Sequence, residues 1–157
     1  MAITVTIQGT SYSIPQQGAN PPWGTDLTDL LEALVSAVNS QSGTGDLLLT
    51  SFDIANNQVA AANVTGASFN TSSVRSAIIS YSVYRSTASS EVSECGHIYV
   101  TYKSTASSWE IAQSKVGESS VVFSMTTAGQ LQYTSSNIAG ASYSGKMKFL
   151  ARAFLQV

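Results

Sequence analysis

Hydrophobic positions follow two different periods along this chain. Leu27, Leu30, Leu31, Leu34 and Val38 recur at i, i+3, i+4, i+7 and i+11, which lines them up on one face of a helix. Thr25 or Asp26 can cap the free N–H groups of the first turn, and Asp26, Asp29 and Glu32 place negative charge toward the positive end of the helix dipole. The polar run Asn39-Ser-Gln-Ser-Gly43 stops it, so the spacing predicts an amphipathic helix over 26–39. A helix of about fourteen residues is marginal alone in water and needs a packing partner. Elsewhere the period is two. Ile3, Val5 and Ile7 alternate with threonine, and Gly9-Thr10 turns the chain into Tyr12-Ser13-Ile14, a small hairpin ending at Pro15.

Between hairpin and helix, residues 15–24 hold all three prolines, and Pro21-Pro22 favours a stiff, extended path. Trp23, between proline and glycine, is read as a plug into a nearby apolar surface. Ser42-Gly43-Thr44-Gly45 is a flexible joint. It lacks the third glycine and the preceding strand that a phosphate loop requires. These marks divide the chain into an N-terminal docking arm, 1–45, and a β-domain, 46–157.

In the β-domain the strand candidates are 46–54, 58–64, 76–86, 95–103, 108–113, 120–126, 130–134 and 145–156. About eight strands without helical periodicity predict a mainly β fold, a jelly-roll-like β-sandwich preceded by one hairpin and one amphipathic helix. The run Ala77-Ile-Ile-Ser-Tyr-Ser-Val-Tyr84 is apolar and uncharged, a hazard as an exposed edge, and belongs inside a sheet or against another subunit. Strand 145–156 places Met147, Phe149, Ala151, Ala153 and Leu155 on one face. The other carries Lys146, Lys148, Leu150, Arg152 and Phe154, a mixture of cations and large apolar groups that suits an intersubunit surface.

Charge sharpens this division. Only 10% of the 157 residues are charged, against roughly 25% in ordinary soluble proteins. Residues 1–74 hold five acids and no base, whereas 75–157 hold all seven bases and four acids, so the halves carry −5 and +3. Complementary halves can attract one another within a subunit or between neighbours, and totals this modest argue against nucleic-acid binding. Met1-Ala-Ile-Thr-Val-Thr alternates and lacks a basic start, and no apolar run reaches membrane-span length. The reading therefore expects no signal peptide, no membrane, and synthesis in a reducing compartment.

Candidate chemistry is sparse. One cysteine, Cys95, excludes an internal disulfide, and a single histidine, His97, excludes a conventional Cys/His zinc site. Strand alternation puts Cys95, His97 and Tyr99 on one side. Neighbouring side chains there stand roughly 6–7 Å apart, too far for a thiol–imidazole pair. Glu91, Glu94, Glu110 and Glu118 would have to converge to act as a glycosidase pair, and acids in loops and at strand ends are expected to be solvated. No catalytic, cofactor or metal residues are assigned, and the chain is read as a non-enzyme. Asn63-Val-Thr65 and Asn70-Thr-Ser72 match glycosylation acceptors that are common by chance.

Two passages carry a resemblance. The run Thr4-Val-Thr-Ile-Gln-Gly-Thr-Ser-Tyr-Ser-Ile-Pro15, followed by Trp23-Gly-Thr25 and the helix, resembles the opening module of structural proteins of tailed bacteriophages, those of cyanobacterial and other marine phages included. Four further segments resemble a β-domain found at the ends of phage fibres and in other virion proteins. They are Asn63-Val-Thr-Gly66, Ser80-Tyr-Ser-Val-Tyr-Arg-Ser86, Gly129-Gln-Leu-Gln-Tyr-Thr-Ser-Ser-Asn137 and Tyr143-Ser-Gly-Lys-Met-Lys-Phe149. The resemblance implies a homotrimeric jelly roll on the virion exterior, made in the host cytoplasm, with an N-terminal anchor and no catalytic residues to carry over. Only Ser40 to Gly45 separates helix from β-domain, where fibres place a long shaft. That compactness favours a capsid decoration, or cement, protein on the major capsid protein over a tail fibre, spike or adaptor that binds a host receptor. The expected docking residues are Trp23, Leu27, Leu30, Leu31, Leu34 and Val38 on the arm, with Lys146, Lys148, Arg152 and Phe154 on the β-domain.

Overall fold

The computed structural model describes residues 2–7, 10–15, 29–34 and 45–156, with backbone alone for 2–15. The chain divides into two compact units, Met1–Ser42 and Gly43–Val157. In the first, β1 (Ala2–Ile7) pairs antiparallel with β2 (Thr10–Pro15) in a register running from Ala2 opposite Pro15 to Ile7 opposite Thr10. Helix α1 covers 29–34, and the remainder of the expected 26–39 helix lies outside the described residues.

The second unit is a β-sandwich. Its strands are β3 (Leu47–Asp53), β4 (Ala62–Ser68), β5 (Val74–Ser86), β6 (Glu91–Lys103), β7 (Ser108–Gly117), β8 (Val121–Met125), β9 (Gln130–Ser135) and β10 (Ser144–Leu155). Each overlaps an expected strand, but β4 starts four residues later than the expected 58–64 and shares only 62–64 with it. Five form one antiparallel sheet in the order β3-β10-β5-β6-β7, and three form the other in the order β4-β9-β8. A jelly roll shares eight strands between two sheets through paired Greek keys. Here β5, β6 and β7 remain a meander in one sheet, which makes the division five and three.

Alternation decides what fills the space between the sheets. Ile79, Tyr81, Val83, Ile98, Val100, Met147 and Phe149 point inward from the larger sheet to meet Val64, Ala67, Val121, Phe123, Leu131 and Tyr133 from the smaller. Tyr81 packs edge-on to Phe123 at 5.3 Å and Phe52 edge-on to Tyr133 at 5.5 Å, so two T-shaped pairs bridge the layers. Strand β5, which carries the uncharged run Ala77–Tyr84, lies between β10 and β6, paired along both edges, as that run requires.

Two departures from simple alternation have local causes. On β3, Thr50 faces Phe149 while Leu47 faces Ala151, so Leu48 and Leu49 together oppose the single residue Leu150. This bulge turns both leucines outward. Leu155, expected on the core face, is half exposed, because the β10–β5 register shifts after Phe154.

The three-stranded layer is too narrow to cover the five-stranded one, and β7 is exposed on both faces beyond Trp109. The chain leaves β7 through Gly117, at φ +84°, where an added Cβ would lie 2.3 Å from the Ser93 carbonyl oxygen. Gly117→Ala is therefore expected to destabilise the domain by on the order of 1–3 kcal/mol, read as a lower urea midpoint. An unchanged midpoint would show that the turn relaxes freely.

Candidate interaction face

Every second residue of the five-stranded sheet faces away from the core, and the register places these residues in rows. Lys148 lies beside Ser82, which is opposite Cys95 and then Val116. Leu150 lies beside Ser80, then His97 and Ser114. The next row runs Arg152, Ile78, Tyr99 and Ala112, and the last Phe154, Ser76, Thr101 and Glu110. Serine, threonine and alanine are short, so the large side chains stand above their surroundings. Phe154 is 51% exposed and Leu150 43%, with Tyr84 and Tyr99 exposed to a similar extent.

The charges on this face are unevenly satisfied. Lys146 pairs with Asp53 on β3, and Lys103 with Glu110. Lys148 and Arg152, both exposed, have no acid partner among the described residues. Two cations thus flank Leu150 on one strand, with Phe154 just beyond. Strand alternation was enough to place Lys146, Lys148, Arg152 and Phe154 together on the outward side.

Of the arm residues, Leu30 is buried, while Leu31 and Leu34 are 52% and 42% exposed. Asp29 and Glu32 are exposed beside them. Trp23, Leu27 and Val38 lie outside the described residues.

His97 and Cys95 share the outer face, as alternation places them, and a hydrogen bond of 3.1 Å joins His97 Nδ1 to Ser80 Oγ. Its register neighbour beyond is Ser114, and Tyr99 lies 6.2 Å away ring to ring. A hydroxyl and an imidazole are two parts of a nucleophile triad, and none of these neighbours supplies the orienting carboxylate. Among the described residues no group of three or more His, Cys, Asp or Glu side chains is placed to hold a metal ion. The depressions nearby are open; one of about 400 Å³ is bordered by Tyr99, Thr101, Glu110 and Ile111.

One expectation is overturned inside the sandwich. Glu94, grouped with solvated acids, is only 2% exposed. Its carboxylate accepts from Tyr81 Oη at 2.5 Å, Gln113 Nε2 at 2.9 Å, Lys115 Nζ at 2.9 Å, and both the backbone N–H and hydroxyl of Ser119 at 3.0 Å. The cause is parity. If Cys95, His97 and Tyr99 face out, Glu94 must face in with Ile98 and Val100.

Arg85 is its counterpart, fully buried at the end of the inward series Ile79, Tyr81 and Val83. Its guanidinium donates to the carbonyls of Ser119 and Ser136, both at 2.6 Å, to Asn56 Oδ1 at 3.2 Å and to Tyr143 Oη at 3.0 Å. Ser119 therefore joins the two buried charges, donating to Glu94 and accepting from Arg85.

No family model and no curated protein matches the chain. Among solved structures, the crystal structure of the tailspike protein of Acinetobacter phage vB_ApiP_P1 is similar at a TM-score of 0.37 and 14% identity, over 70% of this chain and 21% of that one. The chain thus spans about a fifth of the tailspike's length, and a likeness of that size fixes neither ancestry nor role.

Proposed function

We propose that this chain is a structural protein of a tailed-phage virion, most simply a homotrimeric capsid decoration protein that binds the major capsid protein from outside. The observation that carries the reading is the outer face of the five-stranded sheet. A free-standing domain has little use for Leu150 between two cations that have no acid partner among the described residues, with Phe154, Ile78 and Tyr99 beside them, whereas an assembling subunit needs such a surface. The resemblance of the N-terminal run and of four β-domain segments to virion proteins supplies the kind of assembly. In this reading the β-domain forms the trimer and residues 1–45 act as the arm. Each contact is weak singly and the trimer binds through several at once, so avidity holds it on the shell. Chemistry on a substrate is no part of the proposal.

Tyr84 and Tyr99 support a second reading. Exposed phenol rings on a flat, serine-rich face can stack on sugars, which would suit a tail fibre, spike or adaptor protein that meets a host receptor. Immunogold labelling of virions separates the two. Label over the whole head is the expected result, label confined to the tail transfers the protein to adsorption, and unlabelled particles overturn both readings.

A further inference from the structure

The carboxylates of the β-domain are all engaged. Asp53 pairs with Lys146, Glu110 with Lys103, and Glu94 and Glu118 with Lys115. Glu91 accepts from the Tyr84 hydroxyl at 2.9 Å, and Asp46 from the backbone N–H of Ala153 at 2.6 Å. The cations of the outer stripe, Lys148 and Arg152, have no acid among the described residues to meet. The chain's other acids are Asp26, Asp29 and Glu32, in a half that contains no base. Asp29 and Glu32 are exposed on α1, as are Leu31 and Leu34 one turn apart.

We infer that the stripe formed by Lys148, Leu150, Arg152 and Phe154, with Ile78 and Tyr99 beside it, is the docking surface for the acidic, leucine-bearing segment 26–39 of a second copy of the chain. Charge selects the occupant, because each copy offers two cations without an acid partner among the described residues, and an acid-only segment. Apolar groups stand beside the charges on both sides: Leu31 and Leu34 on the helix, Leu150, Phe154, Ile78 and Tyr99 on the sheet. The contact is head to tail, and heterologous contacts of this kind close into rings when the rotation allows. The inference rests on the self-association proposed above and adds the surfaces that carry it.

The test is a charge exchange in the full chain, read by light scattering coupled to size exclusion. Lys148→Glu with Arg152→Glu should weaken self-association on the order of 10-fold or more, and so should Asp29→Lys with Glu32→Lys. All four substitutions in one chain should restore it, an outcome that general misfolding cannot produce. Assembly that persists in the Lys148→Glu, Arg152→Glu variant overturns the docking surface while leaving self-association intact. A variant that assembles normally and no longer labels virions assigns the stripe to another virion protein and overturns the second copy as occupant. A wild type that stays monomeric at the highest soluble concentration overturns the inference together with the homotrimer.

Discussion

Arg85→Met is expected to lower the stability of the β-sandwich by on the order of 3–5 kcal/mol, enough to leave a marginal domain substantially unfolded. The guanidinium is wholly buried, and its acceptors are neutral groups from four separate segments at residues 56, 119, 136 and 143. Methionine fills much of the volume but donates nothing. The Ser119 and Ser136 carbonyls would lose their charged donor, at roughly 1–3 kcal/mol for each buried group left unpaired. Asn56 adds to the effect, because its Oδ1 also accepts from the backbone N–H of Ile138 at 2.8 Å, so one loop's position depends on another's. Arg85→Lys should rescue little, since three donors on one point cannot replace a planar fork that reaches apart in several directions. Urea denaturation followed by circular dichroism measures both variants. A loss below about 1 kcal/mol for Arg85→Met would show that the loops hold one another without it.

Glu94→Gln is expected to cost on the order of 2–4 kcal/mol at neutral pH and to flatten the acid limb of the stability profile. Burial by itself pushes the Glu94 carboxyl up. Hydrogen bonds from Tyr81, Lys115 and Ser119 together outweigh it and hold the group below its ordinary value of 4.5. The sign follows from linkage. A carboxyl depressed in the folded state contributes stability that is fully present above the unfolded value, and the contribution is lost as pH falls through the folded one. The wild type should therefore hold its urea midpoint from neutrality down to about pH 4.5 and lose stability below that. Glu118 titrates in the same direction, held down by the Ser120 backbone N–H and by Lys115, so the Gln variant keeps a shallower slope. Identical acid limbs in the two proteins would show that Glu94 does not carry this dependence. Tyr81 remains a donor throughout, because burial and the adjacent carboxylate both push its phenol up.

The elements and their faces were legible in the residues because a half-buried strand must alternate. That one rule finds a strand in each of the eight places, although β4 runs 62–68 where 58–64 was expected, and it gives the outward display of Lys146, Lys148, Arg152 and Phe154; the central position of β5 follows instead from its apolar, uncharged run. The same rule contained the positions of Arg85 and Glu94. Composition pulled the other way, since charged residues are so rarely buried that a general expectation of solvation displaced the parity already used for Cys95 and His97. The bulge at Leu48 and Leu49 and the slip after Phe154 depend on register between strands far apart in sequence, which alternation within one strand does not encode. The five-to-three division has the same origin. Whether the β6–β7 hairpin stays with β5 or crosses to the other layer depends on the width of a sheet, a property of several strands together.

The place of β10 between β3 and β5 has a consequence for the order of events during synthesis. Lys146 of this strand meets Asp53 of β3 across a sequence separation of 93 residues, and every strand it must join is made before it. Until β10 leaves the ribosome, β5 has no neighbour on one edge, and its uncharged run Ala77–Tyr84 is an open template for pairing with another nascent chain. Closure of so distant a pairing is slow, and the waiting interval is when a β-rich chain is most prone to aggregate. Production of this protein should thus be limited by how long β5 stands unpaired, and conditions that slow collisions between unfinished chains should raise the yield.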